Sequence, residues 1–151
     1  MLKNWFLFFI PFWIFGLFLF KKDKKIVLII APFGSVLSHI INQFGVFLDL
    51  WKVTPIKHGP MSRLPADIGV YAVLSSFMIY LIHQKKFNPN ILVLLFTSIT
   101  TLFELILVLF GKVIYCKGWN ILLTFFSYLI AYFLIYCFYL YLKKLDTFTS
   151  N

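Results

Sequence analysis

Five apolar runs, each about as long as a helix that crosses a bilayer, follow one another along the chain with only short charged or proline-bearing links between them. That feature leaves little freedom in the fold. A spanning helix needs about 20 apolar residues, within a range of roughly 17–25. The runs lie at about 4–20, 26–48, 68–84, 91–111 and 121–142. Lipid offers no partner to a backbone N–H or C=O, so such runs must satisfy their own hydrogen bonds as helices. The expected fold is all-α: a polytopic transmembrane helical bundle of about five spans, in a single integral membrane domain over residues 1–151. Four spans are the alternative, with the first run lying in the interface or packed only at the periphery. The third run is the shortest.

Composition agrees with lipid as the solvent. Apolar residues make up 62% of the chain and charged residues 13%, against roughly 45–50% and about 25% in a soluble domain. No segment is left over for a separate soluble domain, a disordered tail or a disulfide-rich module. Cys116 and Cys137 are 21 residues apart, or about 30 Å along a helix. A disulfide needs Cα atoms within about 7 Å, so none is expected between them.

The net charge is +9, which in a soluble chain would suggest nucleic acid. Here the lysines gather where the apolar runs end: Lys21, Lys22, Lys24 and Lys25, then Lys85 and Lys86, then Lys143 and Lys144. Clusters in such places meet anionic headgroups, at about 1 kcal/mol per basic residue. The expected partner is therefore the lipid bilayer, with no nucleic acid. Five spans place these eight basic residues on one side, with the C-terminus, against six on the other. The positive-inside rule then puts the N-terminus outside and the C-terminus in the cytoplasm of a cell membrane. Trp5, Trp51 and Trp119 would lie in the outer aromatic belt. The first run has bulky Phe and Trp throughout and no small-residue cleavage site, so it reads as a retained anchor and not a signal peptide. Of the links, only 52–66 is long enough for structure of its own, and its three prolines and one glycine argue against a regular helix there.

Polar residues mark faces of three runs. Ser35, Ser38, His39, Asn42 and Asp49 recur at helical spacing in the second; Thr97, Thr100, Thr101 and Glu104 do so in the fourth; Asp67, Tyr71 and Ser75 open the third. Glu104 is the least comfortable, because an acid at mid-bilayer costs about 2.5–3.5 kcal/mol even on the lenient scale. His39 is its candidate partner, each lying 13 residues into its run, on spans of the same direction. The intramembrane candidates are thus Glu104, His39, Asn42, Ser38 and Thr101. A second candidate group gathers at the outer surface: Asp49, Asp67, Arg63 and His58. Asp67 also suits the first turn of a helix whose first residue is Pro65. His83, beside Lys85 and Lys86, is expected at the interface.

No hydrolase, nucleotide-binding or metalloprotease motif is present in the sequence. No catalytic residue, cofactor or metal site is expected, and the chain does not read as an enzyme.

The order of features resembles that of a family of small uncharacterised multi-spanning membrane proteins of spore-forming Gram-positive bacteria. The resemblance covers roughly Lys24 to Lys144. It is carried by the basic link before run two, Phe33-Gly34-Ser35-Val36-Leu37-Ser38, the proline-bearing loop into Leu64-Pro65-Ala66-Asp67, the acidic position at Glu104 and Lys117-Gly118-Trp119. It implies an integral plasma-membrane protein and no particular activity.

Two functions remain open on the residues alone. One is a structural or accessory membrane component, assembling as a homo-oligomer or with a membrane protein partner, whose polar stripes hydrogen-bond between helices. The other is a small transporter or channel subunit that handles a proton or cation through Glu104 and His39.

Overall fold

The computed structural model describes residues 2–85 and 87–148; Lys86 of the second basic cluster lies outside them. Among the described residues five helices are long and apolar enough to cross a membrane: α1 (Leu2–Lys22), α2 (Lys24–Phe47), α3 (Ile56–His83), α4 (Pro89–Leu109) and α5 (Ile121–Lys144). The protein is a helical bundle of the multi-pass membrane type. Two short strands complete it, β1 (Trp51–Val53) between α2 and α3, and β2 (Val113–Tyr115) between α4 and α5.

Each helix boundary has a local cause. Asp23 caps α2, its carboxylate accepting from the Ile26 N–H at 3.0 Å. Asn88 and Asn120 do the same for α4 and α5, and Pro89 stands at the first position of α4. α1 contains a widened π turn over Trp5–Phe9, where the Ile10 N–H reaches back to the Trp5 carbonyl. Pro11 follows and cannot donate to the turn before it, so the irregularity falls where a bond is already missing. A second widened turn, Ala66–Tyr71, lies in α3 just after Pro65. The two turns pack on each other at Gly69, where a Cβ would lie 2.8 Å from the Phe9 Cα. A side chain there would push α1 off the bundle.

The third run, the shortest in the sequence, forms the centre. The spanning part of α3 is 61% buried, against 17–33% in the other four helices. α3 opens with a 3-10 stretch, Ile56–Ser62, in the proline-rich link, and becomes regular over Ala72–His83. Gly34 of α2 lets that helix close on it, since a Cβ there would meet the Ser75 Oγ at 2.7 Å; small residues give such approaches in membranes. α1 is a full-length helix tied to the bundle at its start. Asn4, 1% exposed, donates from Nδ2 to the Ser62 carbonyl at 2.9 Å and the Thr54 carbonyl at 3.1 Å. The outward surface carries large apolar side chains such as Leu28, Ile91 and Ile130, all about 60% exposed, as a lipid-facing surface must.

β1 and β2 pair antiparallel, with Trp51 opposite Tyr115, Lys52 opposite Ile114 and Val53 opposite Val113. The ladder is extended by Cys116 N–H to Leu50 O at 2.8 Å and Thr54 N–H to Lys112 O at 2.9 Å. This sheet lies across the end of the bundle where α2 and α4 finish and α3 and α5 begin. The opposite end carries Lys21, Lys22, Lys24, Lys25, Lys85, Lys143 and Lys144. At the lysine end the interior is an apolar core built around Ile26, Ile30, Met78, Ile79 and Phe96. At the sheet end the interior is polar.

Candidate functional site

Asp67 is the first polar centre. The start of α3 delivers it to the interior, its N–H bonded to the Arg63 carbonyl at 3.1 Å, and it is fully buried. Asn42 of α2 donates to Oδ1 at 2.6 Å, and His39 Nδ1 meets Oδ2 at 3.0 Å. The α2 polar stripe thus faces the opening of α3. The His39 side chain is 46% exposed, so the pair joins an interior acid to an accessible imidazole. Ser38 lies alongside, donating to the Ser35 carbonyl at 3.0 Å.

Arg63, 4% exposed, donates from Nη2 to Gln43 Oε1 at 2.8 Å, and its Nε has no partner among the described residues. It acts on Asp67 through space and forms no ion pair with it. The expected outer group of Asp49, Asp67, Arg63 and His58 is therefore divided. Asp49 stands outside with Lys52 at 3.2 Å and Lys117 at 4.0 Å; the carboxylate beside it raises the Lys52 ammonium above its usual range. His58 is exposed on the 3-10 stretch, and its side chain joins neither group. Asp67 and Arg63 belong to the interior.

Glu104 of α4 is the second centre. The expected pairing with His39 is not formed. Matching depth was the argument for it, but depth does not fix which way a helix face turns: His39 faces α3, while Glu104 faces α5 and β2. Tyr128 donates to Glu104 Oε2, and Tyr115 donates to Oε1 at 2.9 Å. Behind each donor stands another group. Tyr71 Oη lies 2.6 Å from Tyr128 Oη. Thr124 Oγ1 lies 2.9 Å from Tyr115 Oη and accepts from Trp119 Nε1 at 2.8 Å. A hydroxyl has one proton to give. With Tyr128 and Tyr115 donating to the carboxylate, Tyr71 must donate to Tyr128 and Thr124 to Tyr115. Two ordered hydroxyl chains therefore point at Glu104. Burial, joined by the nearby Glu104 charge, raises the Tyr115 phenol well above its ordinary range and keeps it a donor.

Thr101 does not join this centre. Its hydroxyl turns back onto its own helix, to the Thr97 carbonyl at 2.8 Å, as Thr97 does to Val93. Thr100 adds a bond across to Tyr132 of α5 at 2.7 Å.

Between the two centres lies a cavity of about 40 Å³, walled by Ser38 and Asn42 of α2, Tyr71 of α3, Glu104 of α4, Ser127 and Tyr128 of α5, and the rings of Trp51 and Trp119. A second cavity of about 30 Å³ shares Asn42, Trp51, Tyr71 and Glu104 and reaches Arg63. A water needs about 10–15 Å³ of such space and two to four polar partners. Each cavity therefore has room for a water. A carboxylate offers about four acceptor sites; Tyr128 holds Oε2 of Glu104 and Tyr115 holds Oε1, with Thr124 Oγ1 3.5 Å from Oε1 as well, so acceptor capacity remains for an occupant. Trp51 and Trp119, with centroids 4.9 Å apart, form the wall toward the sheet. Gly45 makes room for Trp51, whose Cζ3 would lie 2.5 Å from a Cβ at that position. Among the described residues no three His, Cys, Asp or Glu side chains come together to hold a metal ion.

The residues that complete the site beyond the sequence expectation are Tyr115, Tyr128, Thr124, Trp119 and Gln43. A signal was present for two of them: Thr124 and Tyr128, with Tyr132 after them, follow at four-residue steps in the fifth run. Tyrosine counts as apolar in a hydropathy reading, which hides a stripe of hydroxyls.

The fold and this chamber define a multi-pass helical membrane protein with a polar, carboxylate-bearing interior in one half. Comparison with known protein families, curated proteins and solved structures finds no match to the chain.

Proposed function

We propose that this is a multi-pass protein of the cell membrane that binds a small monovalent cation, the proton included, in the chamber beside Glu104. The N-terminus and the sheet lie outside, and the lysine end lies in the cytoplasm. The observation that carries the reading is the Glu104 carboxylate, which is held by tyrosine hydroxyls and also lines a water-sized cavity. An intramembrane acid is costly unless something compensates its charge. The two hydroxyl chains orient their dipoles toward it, and a cation in the cavity would complete the compensation. The Trp51 and Trp119 rings add the electron-rich faces that cations favour. The apolar core closes the lysine end, so an occupant enters from the sheet side past the Trp51 and Trp119 wall, and the arrangement is not an open pore.

Tryptophan emission tests the reading, because two of the four tryptophans wall the cavity. Titrating the protein in liposomes with potassium, sodium, methylammonium and acid should give a saturable change with one of them. Glu104→Gln, which keeps shape and removes the charge, should weaken it at least tenfold. Folded wild-type protein that shows no saturable response to any of the four would overturn the proposal.

A structural or accessory role is the second reading, and a different observation favours it. Most polar side chains of the stripes find partners inside the chain, as interhelical glue does. On that reading Glu104→Gln leaves every ligand response unchanged, there being none, and alters only stability and assembly.

A further inference from the structure

We infer that the pocket at the lysine end binds the phosphate headgroup of an anionic phospholipid. The pocket is a separate cavity of about 270 Å³ where α3 ends, α4 begins and α5 ends. One side is cationic, with Lys85 and Lys143; His83 stands between. The imidazole is held in place, its Nδ1 meeting the Tyr139 hydroxyl at 3.0 Å and its ring packed edge-on against that of Tyr139. Lys85 adopts a left-handed backbone conformation, with φ of 54°, which a glycine or asparagine would hold more easily. The carboxylate whose field reaches Tyr139, Asp23, is engaged by the Ile26 N–H.

The other side is apolar and open. Phe87 is 58% exposed and Leu140 38%, and Leu140 continues into the lipid-facing surface of α5. A phosphate ester pairs with two ammonium groups and the imidazole, and its acyl chains continue along Leu140. Free phosphate would satisfy the cations and leave the apolar side bare, so the lipid is the better fit. Basic pockets between spanning helices on the cytoplasmic side take such headgroups. The site is independent of the Glu104 chamber.

The test is lipid retention by the full-length protein, read by native mass spectrometry from vesicles of equal phosphatidylglycerol and phosphatidylcholine. Wild type should retain phosphatidylglycerol at least tenfold over phosphatidylcholine. Lys85→Gln with Lys143→Gln should lose that preference, and Lys21→Gln with Lys22→Gln, equal in charge lost but outside the pocket, should keep it. Leu140→Trp, which fills the apolar side and keeps every charge, should lose it as well. Equal retention of the two lipids by wild type overturns the inference. So does equal loss in both lysine double variants, which would mean surface charge alone. Displacement of the lipid by millimolar inorganic phosphate would assign the pocket to the free anion and overturn the lipid.

Discussion

The two halves of the bundle are built from the same five helices, yet their interiors follow different rules. The lysine-end half is filled by Ile26, Ile30, Met78, Ile79 and Phe96. Its stability comes from close packing, because lipid removes most of the hydrophobic drive between helices. The sheet-end half buries Asp67, Arg63 and Asn4, surrounds Glu104 with hydroxyls, and leaves water-sized space among them. Polar groups of this kind stabilise only when every donor and acceptor is met. One half is thus tolerant of chemistry and sensitive to shape; the other is the reverse. The covering sheet belongs to the second half because it brings Tyr115 and Trp51 to the chamber.

The largest expected effect on stability is at Asp67. Asp67→Ala removes the acceptor of Asn42 and His39 and the negative field at Arg63, leaving a buried guanidinium uncompensated. A buried partner left unsatisfied costs about 1–3 kcal/mol, and here two hydrogen bonds and a compensating field are lost together, read as the unfolding free energy in detergent micelles. A loss under about 1 kcal/mol would mean that Arg63 reaches water. In the apolar half, Met78→Ala should cost about 2–4 kcal/mol through the cavity left, while Met78→Leu costs less than about 1.5 kcal/mol. At Asp67, by contrast, the isosteric Asn keeps shape but removes the charge and should recover little of the loss, which is what separates the halves.

A smaller effect is expected from Thr100→Val, which removes the bond to Tyr132 at the boundary between them. Interhelical hydrogen bonds average about 0.6 kcal/mol in membranes and reach about 1.7. The smallest is a pH effect at Tyr115. Its phenol is held above its ordinary value in the folded protein, so above about pH 10 the unfolded chain binds fewer protons than the native state. Stability is therefore fully present below pH 10 and declines as pH rises past it. Tyr115→Phe should flatten that alkaline decline in a stability series from pH 8 to 11; an unchanged slope would place Tyr115 in water.

The sequence made the bundle legible because the property that dictates it, twenty apolar residues between charges, is written in one dimension. Helix depth was legible too: His39 and Glu104 both lie in the sheet-end half. Facing was not, since one chain records each stripe but not the rotation between helices, and His39 turned to Asp67. The third run looked weakest because Pro65, Asp67 and Gly69 shorten its apolar length. Those same residues make it the centre, for a helix surrounded by protein can carry a buried acid and a close backbone contact. The strands were out of reach, being three residues each and separated by some sixty positions. With β2 unseen, Tyr115 could not be brought to Glu104.

Sided titration tests the central claim, a cation site that opens at the sheet end and is sealed at the other. The protein would be inserted in one orientation into liposomes and the emission of Trp51 and Trp119 followed while the cation that wild type binds is added to one side at a time. The account predicts a saturable response from the sheet side, none within the same minutes from the lysine side, and loss of the response in Glu104→Gln. Equal responses from both sides, or a response that survives Glu104→Gln, would contradict it.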